Sequence, residues 1–353
     1  MTGLETFFQY IVAGLTRGSI YAIVAIGFNI IYSSTGIINF AQGEFVIVGA
    51  MVSITLSAFV PLWAAVAGGI VVASLFGALV EIVFVRFSRK VSPLRASCLA
   101  FIGFLLAMGT GVTSSLPGAW SVILAVALGL VLGAAVEFLL SRFQKEQSVL
   151  QLIIITIGVS ILTREAMLHI WDEKVRALRF FTGNETTSIA LGKVQFSPQV
   201  LWVLLAVGVV VLALYLFYKY TLVGKAMRAV SLDRKAAQLC GINARLLVTL
   251  SFVVSAAIGA LAGAVTSPLT QTQYNMGAGL AINGFSVAIL GGLGNSFAAA
   301  LAGLLLGILE SLTVAVIPNT FKDIVAIVIL LLILFFKPSG LFGRREENAL
   351  KEF

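Results

Sequence analysis

The chain has 353 residues, 59% of them hydrophobic and only 11% charged, with a formal net charge of +8 and a mean hydropathy of +1.07. Soluble domains carry about 25% charged and about half apolar residues, so no soluble core of this length could hide so much apolar surface. Several apolar runs exceed the roughly 20 residues that cross a bilayer as a helix, and they are continuous rather than alternating, which excludes a barrel.

In chain order, apolar spans are expected at about 8–32, 45–60, 62–85, 97–116, 119–140, 149–170, 199–218, 246–267, 297–317 and 321–336, with a shorter run at 280–292. That is an all-α polytopic transmembrane helical bundle of ten or eleven spans. Basic residues follow the third span (Arg86, Arg89, Lys90, Arg95), the fifth (Arg142, Lys145), the seventh (Lys219, Lys225, Arg228, Arg234, Lys235, Arg245) and the last (Lys337, Arg344, Arg345). The positive-inside rule places these four sites in the cytosol. The segment 171–198 mixes Asp172, Glu173 and Glu185 with Lys174, Arg176, Arg179 and Lys193, and belongs outside. The N-terminus is then outside and the C-terminus cytosolic, which requires 280–292 to cross. The domain reading is one transmembrane domain over 1–345 with a tail at 346–353.

The positive charge does not imply nucleic acid, because it gathers in short loops and nowhere mixes with aromatics as a binding face would. Two cysteines, Cys98 and Cys240, support no disulfide framework. No basic residue precedes Arg17, so the first span is expected to persist rather than to be cleaved as a signal peptide.

"GALVEIVFVRF" (77–87) is echoed by "GAAVEFLLSRF" (133–143). Either two spans end alike at the cytosolic face, or a two-helix unit has been duplicated over about 90–145. Gly pairs at helical spacing (Gly129 and Gly133, Gly259 and Gly263, Gly303 and Gly307) read as close helix packing.

Catalytic chemistry is sparse. The one histidine, His169, makes no zinc site. "GGLGNS" (291–296) lacks the third glycine and the strand of a dinucleotide loop, and Gly224-Lys225 lacks the rest of a P-loop. No cofactor or metal is expected, the chain reads as a non-enzyme, and any ATP that drives it must be hydrolysed by another subunit.

The loop "YTLVGKAMRAVSLDRKAAQLCGINARLL" (220–247) is too long for a hairpin. Ser231 or Asp233 can cap a short helix over Lys235-Ala236-Ala237, and Gly241 can stop it. The expectation is a docking helix on the cytosolic face, with small residues on one side and Leu232, Leu239 and Ile242 on another.

"GSIYAIVAIGFNIIYSSTGIINFAQGEF" (18–45), "GKAMRAVSLDRKAAQLCGI" (224–242) and "AILGGLGNSFAAALAGLLLGILES" (288–311) resemble the permeases of branched-chain amino acid ABC importers, in particular the H-type permeases of leucine/isoleucine/valine systems. The resemblance covers 8–90 and about 145–345; 90–145 looks like added material. It implies a multi-pass protein of the bacterial inner membrane that works with two cytosolic ATPase subunits, a second related permease and an extracytoplasmic substrate-binding protein. It also implies that 220–246 is the coupling loop, with Asp233, Lys235, Ala236, Ala237 and Gly241 as its helix. The family's usual core there is E-A-A-x-x-x-G, and Lys235 stands in place of the Glu.

Transporters often pass cargo at broken helices. Two segments fit: "GIINFAQGEF" (36–45) with Asn39, Gln42 and Glu44, and "MGAGLAINGFSVAILGGLGNS" (276–296) with Asn283, Gly291 and Gly292. A charged residue at membrane depth costs roughly 2.5–3.5 kcal/mol or more, so Glu44 must face the bundle interior or be neutral. Its neighbours either repair the broken backbone or touch the cargo. Glu310 is a second intramembrane acid. The alternatives to an amino-acid importer are an ABC permease for urea or short amides, or a secondary transporter that uses Glu44 or Glu310.

Overall fold

The computed structural model describes residues 3–85, 149–191 and 194–314, with isolated positions between 328 and 341. By contact density the chain forms two units, Met1–Ala78 with Thr156–Phe353, and Leu79–Ile155. The expected spans at 97–116 and 119–140, the repeat copy at 133–143, the Gly129–Gly133 pair, the tail and most of 321–336 lie outside the described residues.

The described chain is overwhelmingly helical. The helices are α1 (Gly3–Thr35), α2 (Gln42–Leu56), α3 (Leu62–Val80, continued by a π-helical turn Glu81–Val85), α4 (Val149–Trp171), α5 (Gln199–Tyr220), α6 (Leu222–Leu232), α7 (Arg234–Leu239), α8 (Ala244–Thr270), α9 (Met276–Gly291) and α10 (Ser296–Val314). Between α4 and α5, strands β1 (Ile189–Leu191) and β2 (Val194–Phe196) form an antiparallel hairpin. In the second unit the described residues 79–85 and 149–155 finish α3 with its π-turn and open α4.

Six helices among the described residues are long and apolar enough to span: Thr6–Thr35, Leu62–Val83, Leu152–Trp171, Gln199–Tyr220, Ala244–Thr270 and Ser296–Val314. The segment expected to span at 45–60 is the 15-residue α2, about 22 Å long against a core of about 30 Å, one of the shorter apolar helices. The 16-residue α9, about 24 Å, is short for the same reason. Apolar sequence continues past both helices, so hydropathy cannot see where the backbone stops being helical.

α1 lies at the centre. Every residue from Gly18 to Ile31 is buried, because the helix has neighbours on all faces. It packs on α10, α8, α9 and α5. The closest seam is with α10 and is made of glycine. A Cβ on Gly14 would meet the Gly307 oxygen at 2.7 Å, and one on Gly18 would meet the Gly303 oxygen at 2.7 Å. Small residues let helices approach this closely where lipid gives no hydrophobic drive for association. The hydroxyls of α1 bond back to the helix itself, as Thr16 does to Val12 O (2.9 Å) and Ser19 to Leu15 O (2.7 Å), and so cost little in an apolar setting.

Gly263 takes part in a second close seam, where a Cβ would overlap the Val46 carbonyl of α2; Gly49 of α2 meets Ala260 in the same way. The outer helices differ. α4 and α5 turn rows of large apolar side chains outward (Ile154, Ile157 and Ile161; Leu201, Leu205 and Leu212), as lipid-facing helices do.

The loop at 220–247 folds as two short helices. Thr221 caps α6 by accepting from Gly224 N (2.9 Å). Asp233 sits extended between the helices and caps α7, accepting from Lys235 N (2.8 Å) and Ala236 N (3.0 Å). Asp233 is therefore the cap, and Ser231 lies inside α6, bonded to Arg228 O (2.8 Å). Gly241 stops α7 at φ +81°, a left-handed conformation that glycine adopts without strain. Two expected faces are corrected. Ala237 is buried while Ala236 is exposed, and Ile242 packs onto the core instead of joining Leu232 and Leu239 outside. Ile242 is drawn in because Ile242 N closes the turn onto Ala237 O (3.0 Å).

Candidate functional site

The break expected within 36–45 lies at residues 36–41. α1 ends where Gly36 turns left-handed (φ +70°) and donates to Tyr32 O at 2.7 Å. Thr35 Oγ1 then takes the Ile37 N–H (3.1 Å), Thr156 Oγ1 of α4 takes the Phe40 N–H (3.2 Å), and Asn39 Oδ1 takes the Ala41 N–H (3.1 Å). Side chains thus supply the partners that helix geometry no longer gives, as irregular backbone at membrane depth requires.

The three polar residues of the motif have separate tasks. Asn39, 1% exposed, repairs the break through Oδ1, and its Nδ2 has no hydrogen-bond partner. Gln42, fully buried, ties α2 to α8. Ser255 Oγ lies 2.6 Å from Gln42 Oε1 and 2.9 Å from Gly27 O, while Gln42 Nε2 donates to Ser255 O (3.4 Å). Gln42 also covers the bare face of Gly27 on α1, so three helices meet at this amide. Ser255→Ala removes the donor that Gln42 Oε1 depends on. The expected cost is about 1–3 kcal/mol for the orphaned acceptor, read as a lowered melting temperature in detergent.

Glu44 is also fully buried, in the first turn of α2. Ser160 Oγ of α4 donates to its Oε1 at 2.8 Å, and its Oε2 has no hydrogen-bond partner. Its carboxylate rests on the bare face of Gly277, the second residue of α9, and Gly43 packs on the Gly277 carbonyl. The N-termini of the two short helices therefore cross at two glycines with one carboxylate between them. Helix N-termini carry partial positive charge, so both favour the anion. Burial opposes charge on this carboxyl, while Ser160 and Arg164, one turn beyond it, favour it.

The second expected break is placed differently. Residues 276–291 are one continuous helix, and the chain departs from helix before it, at 271–275, and after it, at 292–295. The glycines that looked like breakers are packing positions. A Cβ on Gly284 would run into Val24, and one on Gly291 would meet Ala299 Cα at 2.5 Å. Gly292 ends the helix at φ +104°. Asn283 lies on the α1 side of α9, where its Nδ2 donates to Tyr21 Oη (3.4 Å), away from the Glu44 crossing. Tyr21 reaches Glu310 Oε1 (3.5 Å), and Arg17 lies 4.0 Å from the same oxygen. Glu310 is thus a buried acid with a cation beside it, in a polar chain shared by α1, α9 and α10.

Sequence reasoning missed Ser255, Ser160 and Asn29. Asn29 is fully buried; its Oδ1 accepts from Gly294 N (3.0 Å) and its Nδ2 donates to Asn295 O (3.2 Å), which holds the α9–α10 turn to α1. A lone Ser or Asn inside an apolar run carries no spacing signal, so nothing in the sequence singled these out. His169 is exposed at the end of α4 and takes no part.

Residues 10–93 and 96–334 match a family model described as "Branched-chain amino acid transport system / permease component". The match takes in most of the stretch at 90–145. The chain is 32% identical to the high-affinity branched-chain amino acid transport system permease protein BraD of Pseudomonas aeruginosa, over 98% of this chain and 99% of that protein. It is 30% identical to the high-affinity branched-chain amino acid transport system permease protein LivH of Escherichia coli, over 96% of each. It is 23% identical to a probable branched-chain amino acid transport permease protein LivH of Methanocaldococcus jannaschii, over 92% of this chain and 89% of that one.

Proposed function

The chain belongs to the family of branched-chain amino acid transport permease components, and from that premise we propose that it is the membrane-spanning subunit of an ABC importer for branched-chain amino acids. In this reading it sits in the cytoplasmic membrane of a bacterium, N-terminus outside and C-terminus in the cytosol. Two cytosolic ATPase subunits supply the energy, a second related permease completes the path, and an extracytoplasmic binding protein delivers the cargo. The chain itself carries out no hydrolysis.

The observation that carries this reading is the surface of α6 and α7. Leu232 is 87% exposed and Leu239 90% exposed, on two capped helices whose other faces are anchored by Met227, Val230 and Ala237. Large apolar side chains presented from a rigid base suit a protein partner. Gly241 beside them has open space around it, and its left-handed φ lets the chain turn straight back into α8.

The double substitution Leu232→Glu with Leu239→Glu is expected to abolish co-purification of an ATPase subunit from detergent, because central apolar anchors are worth about 2 kcal/mol or more each. Gly241→Arg is expected to do the same by strain and bulk, with the protein still in the membrane. Unchanged ATPase recovery in both variants would overturn the docking role. Uptake that survives ATP depletion but collapses with the proton gradient would instead support a secondary transporter.

A further inference from the structure

Among the described residues three buried side-chain polar atoms have no hydrogen-bond partner: Asn39 Nδ2, Glu44 Oε2 and Arg176 Nε. Buried polar atoms are almost always paired, and exceptions gather where a fold serves something besides its own stability. These three lie along one seam. Phe40, next to Asn39, donates its N–H to Thr156 of α4, Glu44 accepts from Ser160 one turn further along α4, and Glu44 rests on the start of α9. Arg176 stands past the C-terminal end of α4, beside the turn that leads into α9. Its backbone pairs with Thr272 in the α8–α9 turn (Arg176 N to Thr272 O 2.9 Å, Thr272 N to Arg176 O 2.6 Å), and its Nη2 donates to Trp171 O at the end of α4 (3.2 Å).

The seam between these two levels is apolar and soft. Ile47, Val48 and Met51 of α2, Met167 and Trp171 of α4, Tyr274, and Met276 of α9 pack into one apolar cluster with Ala73 of α3 and Ala260 of α8. Methionine is unbranched and adapts to passing shapes, as a path for aliphatic side chains of differing form requires. The column thus runs from a guanidinium, through an apolar stretch that includes three methionines, to a carboxylate and an amide. That is the chemistry of a zwitterion with an aliphatic side chain.

We propose that the α2–α4–α9 seam is the cargo path, with Arg176 receiving the α-carboxylate of the amino acid and Glu44 receiving its α-ammonium; this rests on the importer reading above. The two act in succession. Ser160 and Trp171, which hold the two charged groups, are about 16 Å apart along α4, and an α-amino acid bears both its charges on one carbon. Arg176 is therefore an outer station and Glu44 an inner one. Here the seam is packed shut, and Glu44 Oε2 lies between the two helix N-termini with no hydrogen-bond partner.

The test uses the intact permease–ATPase complex, purified without the binding protein. Binding of leucine, 4-methylpentanoate (no ammonium) and 3-methylbutylamine (no carboxylate) is measured by scintillation proximity. Glu44→Gln should weaken leucine and 3-methylbutylamine at least about tenfold and leave 4-methylpentanoate unchanged. Arg176→Gln should weaken leucine and 4-methylpentanoate and spare 3-methylbutylamine. Leucine binding that is unchanged in both variants overturns the proposal. So does equal loss of all three ligands in either variant, since that marks a packing role only. A wild type that takes up leucine in proteoliposomes but binds none of the three also overturns it. In each of these cases the importer reading stands if wild-type uptake is driven by ATP; a wild-type complex with no leucine uptake sinks the importer reading and this one together.

Discussion

Gly307→Val will leave little or no monodisperse protein after solubilisation, while Gly208→Val will be recovered like the wild type. Any side chain at Gly307 would overlap the backbone of Gly18, which cannot turn aside as a flexible side chain can. Overpacking costs about 1–3 kcal/mol where neighbours can give. Here the neighbour is the main chain of the most buried helix, so the helices must part and the contacts along the α1–α10 seam weaken together. Gly208, on the outward face of α5, has nothing within 4 Å of an added Cβ. The pair of variants changes the same residue type in the same way and differs only in what stands opposite. Detergent size-exclusion profiles read the outcome, and a normal profile for Gly307→Val would remove the close-packing account.

Glu44→Lys will be lost from the membrane or misassembled, while Glu44→Gln will assemble. The argument is one of sign. Glu44 lies where the N-termini of α2 and α9 converge, and each terminus favours an anion by about 0.3–2 kcal/mol. A lysine turns both terms unfavourable and adds repulsion from Arg164. Reversing the two terms alone costs roughly 1–8 kcal/mol, a large share of the stability of a typical domain, about 5–15 kcal/mol. Glutamine keeps the shape and an acceptor for Ser160 Oγ. Membrane abundance and thermal melting of the two variants check it, and equal abundance would show that the field at the crossing is weak.

The sites differ in how much of them could be read from sequence. The helix α7 was legible because its signals are local: Asp233 two residues before Lys235, and a glycine where the helix must stop. The break at 36–41 was legible because amides, a carboxylate and glycines interrupt an apolar run. The α9 segment misled because glycine has two uses. Gly277, Gly284 and Gly291 looked like breakers, yet their hydrogen atoms face Glu44, Val24 and Ala299 on other elements. Only the identity of the opposite residue tells a packing glycine from a breaking one, and that residue lies far away in the chain.

What the sequence by itself determined was the solvent, the helical class and the family, because composition, run length and short motifs are properties of neighbouring residues. It also required Glu44 to face the bundle interior or to be neutral, since a charge in lipid is costly. The tertiary structure decided which helices are short, which glycines are seams, and that Gln42 is a tie while Asn39 and Glu44 keep a free atom each. It alone set Arg176 against Trp171 at the end of α4 and Thr272 in the turn before α9. Those facts depend on atoms hundreds of residues apart meeting within a few ångströms, and no local pattern in the chain encodes such a meeting.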